Sequence, residues 1–255
     1  MNYDHSSTNR FEVIAMRKTI TPLLLLFFAA MSLTACDSNA PTVPVFVTYD
    51  PPFNPTTLQT NVTNRYFPLS PGTVWTYEGQ TAEGLERIVV EVLEETRDVA
   101  GITARVVRDR VFLEGELIED TFDWYAQDPA GNVWYLGEDS KEIRNGQVLN
   151  MAGSWEHGVN GAMAGVVMPA SPSVGQAYQQ EFYAGQAEDR GKVVGVNESV
   201  TIAMGSYTNC VKTEDTTPLE PSVRENKFYC PGVGTVLEVS LTSGERVELV
   251  SVETQ

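Results

Sequence analysis

The sequence predicts an all-β protein, an antiparallel meander forming either a curled sheet or a partly closed barrel. Three observations predict it. Apolar and polar residues alternate with period two, helical periodicity is nearly absent, and turn pairs recur at regular spacing beyond Arg65. In chain order, the turn pair Pro71-Gly72 feeds a strand over Thr73–Glu78 with Trp75 and Tyr77 on one face. Ile88, Val90 and Val92 form one face of the next strand, which turns near Ala100-Gly101 into Ile102–Phe112. Phe122–Gln127 and Val133–Leu136 make a third pair, joined by Asp128-Pro129-Ala130-Gly131-Asn132. Proline early and glycine late in that loop suit a short turn with one residue at positive φ. From Asn145 to Pro172 the alternation fails. Gly146, Gly153, Gly158, Gly161 and Gly165, with Pro169 and Pro172, predict a long loop, either functional or a floppy insertion. Further strands follow at Tyr178–Tyr183, Lys192–Val196, Val200–Met204, Tyr207–Lys212 and Arg224–Tyr229. In Thr235–Thr242, Leu237, Val239 and Leu241 point one way and Val236, Glu238, Ser240 and Thr242 the other. Ser243-Gly244 turns that strand into one carrying Val247 and Leu249, a closing hairpin.

The N-terminal region reads differently. Met16-Arg17-Lys18 precedes an apolar run from Leu23 to Ala30, and the run ends at Leu33-Thr34-Ala35-Cys36. A basic start, a short apolar stretch and small residues before a cut are the layout of a secretory signal. The run is well short of the ~20 residues that span a bilayer, so a removable signal over residues 1–35 is the expectation. Met16 is the expected start of translation, because Asp4 and Glu12 upstream are foreign to such a signal. The four residues ending at Cys36 resemble the lipobox of bacterial lipoproteins. The resemblance implies that Cys36 becomes the mature N-terminus, carrying a diacylglyceryl thioether and an N-acyl chain (palmitate or a similar fatty acid). Each buried CH₂ contributes ~0.8 kcal/mol and one chain holds only marginally, so several chains give a stable tether. Residues 36–64 hold Pro41, Pro44, Pro51, Pro52 and Pro55 among Thr and Asn, the composition of a flexible tether. Residues 65–255 then form a single antiparallel β domain, long enough to bury a core.

Charge and cysteine content narrow the setting. Residues 1–35 contain Arg10, Arg17, Lys18, Asp4 and Glu12, so the remainder keeps 14 basic against 32 acidic residues, a formal net of −18. Such a surface repels phosphate backbones, so no nucleic-acid partner is expected. Beyond Cys36 only Cys210 and Cys230 remain. In an oxidising envelope compartment this even pair is either a disulfide, worth ~3 kcal/mol in the chain-entropy model, or two buried thiols.

The body carries two further signatures. Tyr66-Phe67-Pro68-Leu69-Ser70-Pro71-Gly72-Thr73-Val74-Trp75-Thr76-Tyr77 fits Y-F-P-L-x-x-G-x-x-W-x-Y, and Tyr229-Cys230-Pro231-Gly232-Val233-Gly234-Thr235-Val236 is close to Y-A-P-G-V-G-x-V. Together with Val200–Cys210 they resemble uncharacterised secreted bacterial β-proteins, over most of the chain from Asn64 to Val252. That resemblance implies an exported β domain and names no activity. Its second signature usually has Ala at position 230, and the change to Cys makes sense if Cys230 pairs with Cys210. Neither signature is a phosphate loop, since no helix follows and no Lys is placed to meet a phosphate.

Residues able to do chemistry are few. His157 is the only histidine beyond Cys36 and, with Glu156, is a candidate general base. No G-x-S-x-G elbow and no H-E-x-x-H occurs. Carboxylates gather near the third hairpin as Asp120, Asp123, Asp128, Glu138, Asp139 and Glu142. Two of them facing one another would serve a hydrolase. Asp128, Asn132 and Glu138 are weak candidate Ca²⁺ ligands through oxygen, and the EF-hand pattern is missing. The aromatics offer another opening. Trp124-Tyr125 and Trp134-Tyr135 send one ring to each face of their sheet, so one face needs a loop, a partner or a ligand to cover it. Trp124, Trp134, Trp155 and His157 are therefore the candidate binding residues. The reading is a membrane-anchored envelope lipoprotein without enzymatic activity or cofactor, whose β domain binds a small apolar ligand or an envelope protein. A carboxylate hydrolase, with or without Ca²⁺, is the alternative. A filled or apolar interior marks the first, and two acids converging beside His157 mark the second.

Overall fold

The computed structural model describes residues 48–49 and 51–254. The expected signal, its start at Met16 and the expected lipidation site Cys36 lie outside the described residues. Sixteen strands form one all-β sheet that curls without closing into a barrel. They are β1 (Thr48–Tyr49), β2 (Thr73–Thr81), β3 (Gly84–Val99), β4 (Ile102–Leu113), β5 (Glu116–Gln127), β6 (Val133–Arg144), β7 (Gln147–Asn150) and β8 (Trp155–Glu156). The second half supplies β9 (Met163–Met168), β10 (Ala177–Gln179), β11 (Glu181–Phe182), β12 (Arg190–Ile202), β13 (Gly205–Thr216), β14 (Arg224–Cys230), β15 (Gly234–Ser240) and β16 (Arg246–Thr254).

Two five-stranded meanders, β2–β6 and β12–β16, are built from successive hairpins. They join edge to edge where β16 pairs antiparallel with β2, Leu249 opposite Tyr77 and Val252 opposite Trp75. The turns are those that the sequence announces. Ala100-Gly101 reverses the chain with both residues at positive φ, and Gly131 sits at φ 98° in the loop between β5 and β6. Residues 177–182 draw the two ends of the sheet together. Tyr178 of β10 pairs with Gly191 of β12 at one end, and Phe182 of β11 pairs with Met163 of β9 at the other. A Cβ at Gly165 of β9 would stand 2.4 Å from the Gln179 carbonyl oxygen, so the approach of the two ends needs glycine there. β1 adds the one parallel pairing among the described residues, Tyr49 beside Tyr178.

Four expectations need correction. Residues 53–64 are not tether but a strap on the sheet. Gln59 exchanges backbone hydrogen bonds of 2.8 and 2.9 Å with Gln127, and Thr60 Oγ1 donates to the Thr103 carbonyl at 2.6 Å. Val62 is 2% exposed, and Phe53 meets Trp134 edge-on at 4.9 Å between ring centres. The Pro/Thr/Asn composition that reads as disorder here serves turns: Asn54 Oδ1 accepts from Thr56 N at 3.2 Å to open a single 3₁₀ turn, Pro55–Thr57. Lys192–Val196 and Val200–Met204 are one strand, β12, broken in register at Val193/Gly195, Gly195/Glu198 and Glu198/Val200. Bulges of this kind interrupt alternation without ending a strand. The glycine-rich segment 145–172 is likewise no loop. It carries β7, β8 and β9, which return along the free edge of β6 with Val148 opposite Ile143, Trp155 opposite Glu138 and Val166 opposite Trp134. Tyr178–Tyr183, finally, is two strands parted at Gln180.

Most buried apolar side chains fall into two clusters. One holds Trp75, Val107, Val200, Tyr229, Val236, Leu249 and the Cys210–Cys230 disulfide. The other holds Val99, Ile102, Trp124, Trp134, Leu136, Val193 and Val211, with Phe53 and Leu58 of the strap packed against it. The strap is thus what covers the second aromatic face.

Candidate ligand-binding cleft

Cross-strand register decides what lines the concave side. Partners directly opposite in an antiparallel pair share a face. Tyr77 is opposite Ile88, Ile88 opposite Val111 and Val90 opposite Asp109, while Asp109 pairs with Thr121 and Asp123 with Glu138. On the far meander Asp215 pairs with Glu225 and Lys227 with Glu238. Two cavities of about 250 and 310 Å³ open between these rows. Phe67, Asp109, Asp123, Tyr125, Lys227 and Tyr229 line both, so they form one cleft.

A ladder of rings runs along it. Phe67 meets Tyr125 edge-on at 5.4 Å, Tyr125 stacks on Tyr135 at 4.9 Å, and Tyr135 meets Trp155 at 5.3 Å. The two sequence signatures close this region by gripping one another. Trp75 Nε1 donates to the Val233 carbonyl at 2.8 Å, Tyr77 Oη to the Thr235 carbonyl at 3.1 Å, and Gly232 N to the Arg65 carbonyl at 2.7 Å. Phe67 and Tyr229 face each other with ring centres 6.4 Å apart.

The concave side is not apolar as expected. Asp123 and Glu138 are 8% and 2% exposed, and Tyr135 Oη donates to Asp123 Oδ1 at 2.5 Å. Glu181 is 2% exposed and accepts from Trp155 Nε1 at 2.8 Å. Lys227 reaches Glu238 at 3.6 Å, Asp215 at 3.8 Å and Glu225 at 3.9 Å. Glu238, helped by Asp215 and Glu225, holds the Lys227 ammonium well above the usual lysine range, against the opposing effect of burial. Burial in turn raises the Asp215 carboxyl, and Lys227 only partly offsets it. Burial also raises Tyr77, Tyr125, Tyr135 and Tyr229, so their hydroxyls keep their protons.

Because the folded state raises Lys227, its ion pairs contribute stability at every pH below the ordinary lysine value of about 10.4. That contribution fades only as pH climbs through the folded value. Lys227→Met should therefore destabilise at pH 8 by about 2 kcal/mol. Breaking a fully buried pair costs about 3–5 kcal/mol, and here the cleft leaves 29% of the lysine side chain open to water. Urea unfolding at pH 8 measures it, and equal stability of the variant there would contradict the arrangement.

Other sequence candidates lie elsewhere. His157 packs against Phe53 at 4.8 Å, and its Nδ1 accepts from Ala164 N at 3.1 Å. Burial lowers its pKa, so the ring is neutral. Glu156 is no partner for it, since it pairs with Arg97 at 2.6 Å. The guanidinium of Arg97 lies 3.9 Å over the Trp124 ring. Trp124 and Trp134 are both 4% exposed and belong to the core, while Trp155 reaches the cleft through Glu181. The candidate calcium set is not assembled. Asp128 Oδ2 accepts from Asn132 Nδ2 at 2.7 Å and Trp134 Nε1 at 3.1 Å, and its Oδ1 accepts from Asn132 N at 2.9 Å. Glu138 sits six residues along β6, about 20 Å away, facing Asp123. No group of metal-ligating side chains converges among the described residues.

Burial opposes ionisation of Asp128, but the bonds from Asn132 and Trp134 win and lower its pKa. The stability this gives is present above the ordinary value near 4 and lost as pH falls through the folded value. Asp128→Ala should cost about 2 kcal/mol at pH 7 by stranding the Trp134 and Asn132 donors. The gap to wild type should narrow below pH 4. Denaturation followed by tryptophan fluorescence reads both, and a pH-independent gap would refute the assignment.

Lys227, Asp109, Asp215, Glu225 and Glu238 escaped the sequence reading. A signal did exist. Glu225, Lys227 and Tyr229 alternate on one strand, so placing the signature residue Tyr229 inside places the other two beside it.

No protein-family model and no curated protein matches the chain. Two solved structures are similar to it. A Bacteroides fragilis protein classed as exported, with a YmcC-like fold, is 13% identical with TM-score 0.43, covering 75% of this chain and all of its own. A Parabacteroides distasonis protein classed as a lipoprotein is 14% identical with TM-score 0.40, covering 74% of this chain and 98% of its own.

Proposed function

We propose that this is a lipid-anchored protein of the bacterial cell envelope whose β domain binds a small, donor-rich ligand without transforming it. The order of signal features ending at Cys36 supports the anchor, and the Cys210–Cys230 bridge suits an oxidising compartment. No helix among the described residues is long and apolar enough to cross a membrane.

The cleft carries the binding reading. Its carboxyl groups outnumber the single Lys227 and present mostly acceptor oxygens, so a complementary ligand brings amino or hydroxyl donors. The faces of Phe67, Tyr125 and Tyr135 add flat apolar area of the kind that amines and sugar rings use. A polar ligand of this class takes the place of the apolar one that the sequence suggested.

Native mass spectrometry of protein purified from its own membrane, with thermal-shift titrations against small amines and sugars, tests the reading. A retained mass, or a rise in Tm lost in Asp123→Asn, is the expected result. Saturation at a hundred times Kd stabilises by about 2.7 kcal/mol, which such melts resolve. Absence of both would end it.

One observation favours a second reading. Asp123 and Glu138 are buried acids directly opposite one another, the pairing that a carboxylate hydrolase uses. Turnover of chromogenic glycosides by the wild type and not by Asp123→Asn would establish it.

A further inference from the structure

The edge of the sheet formed by β7, β8 and β9 differs in charge from the rest of the molecule. Between Arg144 and Glu181 the only ionised side chain is Glu156, in a chain of formal net charge −17. Glu156 is itself neutralised by Arg97 at 2.6 Å, and burial keeps His157 uncharged. The same stretch exposes large apolar groups. Val148 is 54% exposed, Leu149 53%, Met151 51%, Val159 47%, Met163 51% and Val174 63%. These are half of the exposed large apolar side chains among the described residues. Among the described residues the β7 strand hydrogen-bonds to β6 alone, and its outer edge is unpaired.

The described chain begins at β1, Thr48–Tyr49, paired with β10, whose Gln179 carbonyl lies against Gly165 of β9, and the strap that follows packs Phe53 on His157 and Trp134. Eleven residues stand between Cys36 and Thr48. A coil of that length spans about 20 Å on average, comparable to the radius of the domain itself.

We propose that this charge-poor edge is a membrane-docking face, with Val148, Leu149 and Met151 entering the boundary between head groups and acyl chains. This inference rests on the anchor reading of Cys36 and is independent of what fills the cleft. Charge decides the orientation. The acidic remainder of the surface is repelled by anionic lipid, while the ions beside β7 are Arg144 and Glu142, paired with each other at 4.0 Å, and the apolar side chains gain by burial. The tether's entry point fixes which side is presented. Docking also keeps the outer edge of β7 from pairing with other strands, a hazard of open edges.

The test uses the lipidated protein in phosphatidylcholine–phosphatidylglycerol vesicles. An environment-sensitive dye is placed at Met151→Cys and, as a control on another surface, at Leu219→Cys; the native pair is bridged and does not react. The dye at position 151 should shift to the blue on vesicles and the dye at 219 should not. Val148→Ser with Leu149→Ser, both exposed and harmless to folding, should weaken the shift at 151 while the protein still floats with the vesicles. A floating protein whose dye at 151 stays hydrated overturns docking and leaves the anchor standing. A protein that does not float overturns the anchor, and docking with it. A blue shift without vesicles that grows with protein concentration assigns the edge to a second copy of the chain and overturns docking alone.

Discussion

Cys36→Ala should transfer the protein from the membrane fraction to the soluble fraction almost completely, with the domain still folded. The body is strongly acidic, and in the anchor reading the acyl chains on Cys36 are what hold it. A single acyl chain gives an association constant of about 10⁴ M⁻¹, and each further chain adds ~0.8 kcal/mol per buried methylene. Removing the acceptor thiol removes all chains at once. A few exposed side chains on the β7 edge cannot replace them, since they contribute marginal, reversible contact. Fractionation of cells with immunodetection is sufficient, and intact mass supplies the control. Unchanged partitioning, or a mature N-terminus that begins at Cys36 with no added mass, would refute the anchor.

The second large effect belongs to the disulfide. Cys210 and Cys230 are wholly buried, separated by 20 residues, and join β13 to β14 at the end of the ladder away from its turn. Replacing both with Ala releases a loop whose closure stabilises by about 3 kcal/mol in the chain-entropy model. For a domain of this size each kcal/mol moves Tm by about 2–4 °C, so a fall of roughly 6–12 °C is expected. The signature residue Tyr229 stands in β14 beside Cys230 and Val233 follows the strand, so the cleft should loosen with it. Calorimetry on the double variant measures the change, and a Tm within a degree of wild type would refute the model.

The fold was largely legible because its hairpins announce themselves. Pro71-Gly72, Ala100-Gly101, Gly131 and Ser243-Gly244 each stand where the chain reverses, and alternation between them is regular. Three features resisted for physical reasons. Bulges in β12 shift the alternation, so one strand reads as two. The strap hides three anchors, Phe53, Leu58 and Val62, inside a composition that otherwise signals disorder, and no local pattern reveals the sheet face they cover. The glycine-rich segment pairs with β6 and, through β9, with β11, and the free edge of β6 cannot be seen from either alone. The cleft was less legible than the fold. Period two says that Glu225, Lys227 and Tyr229 share a face, but which acids meet Lys227 depends on register between β13, β14 and β15. Asp123 and Glu138 stood among six carboxylates with nothing to mark them as a pair, and only the pairing of β5 with β6 sets them opposite one another and sends Asp120 outward to Arg108.

The pairing of β2 with β16 has a consequence for the order of events in the cell. These strands come from opposite ends of the domain, and Trp75 and Tyr77 find their backbone acceptors only at Val233 and Thr235. A nascent chain still missing residues 233–254 has no way to complete its core, however long it waits. Non-local closure of this kind is also slow. If the chain is exported as proposed, it stays pliable while it is threaded out of the cytoplasm and becomes rigid only after its final segment has arrived on the far side.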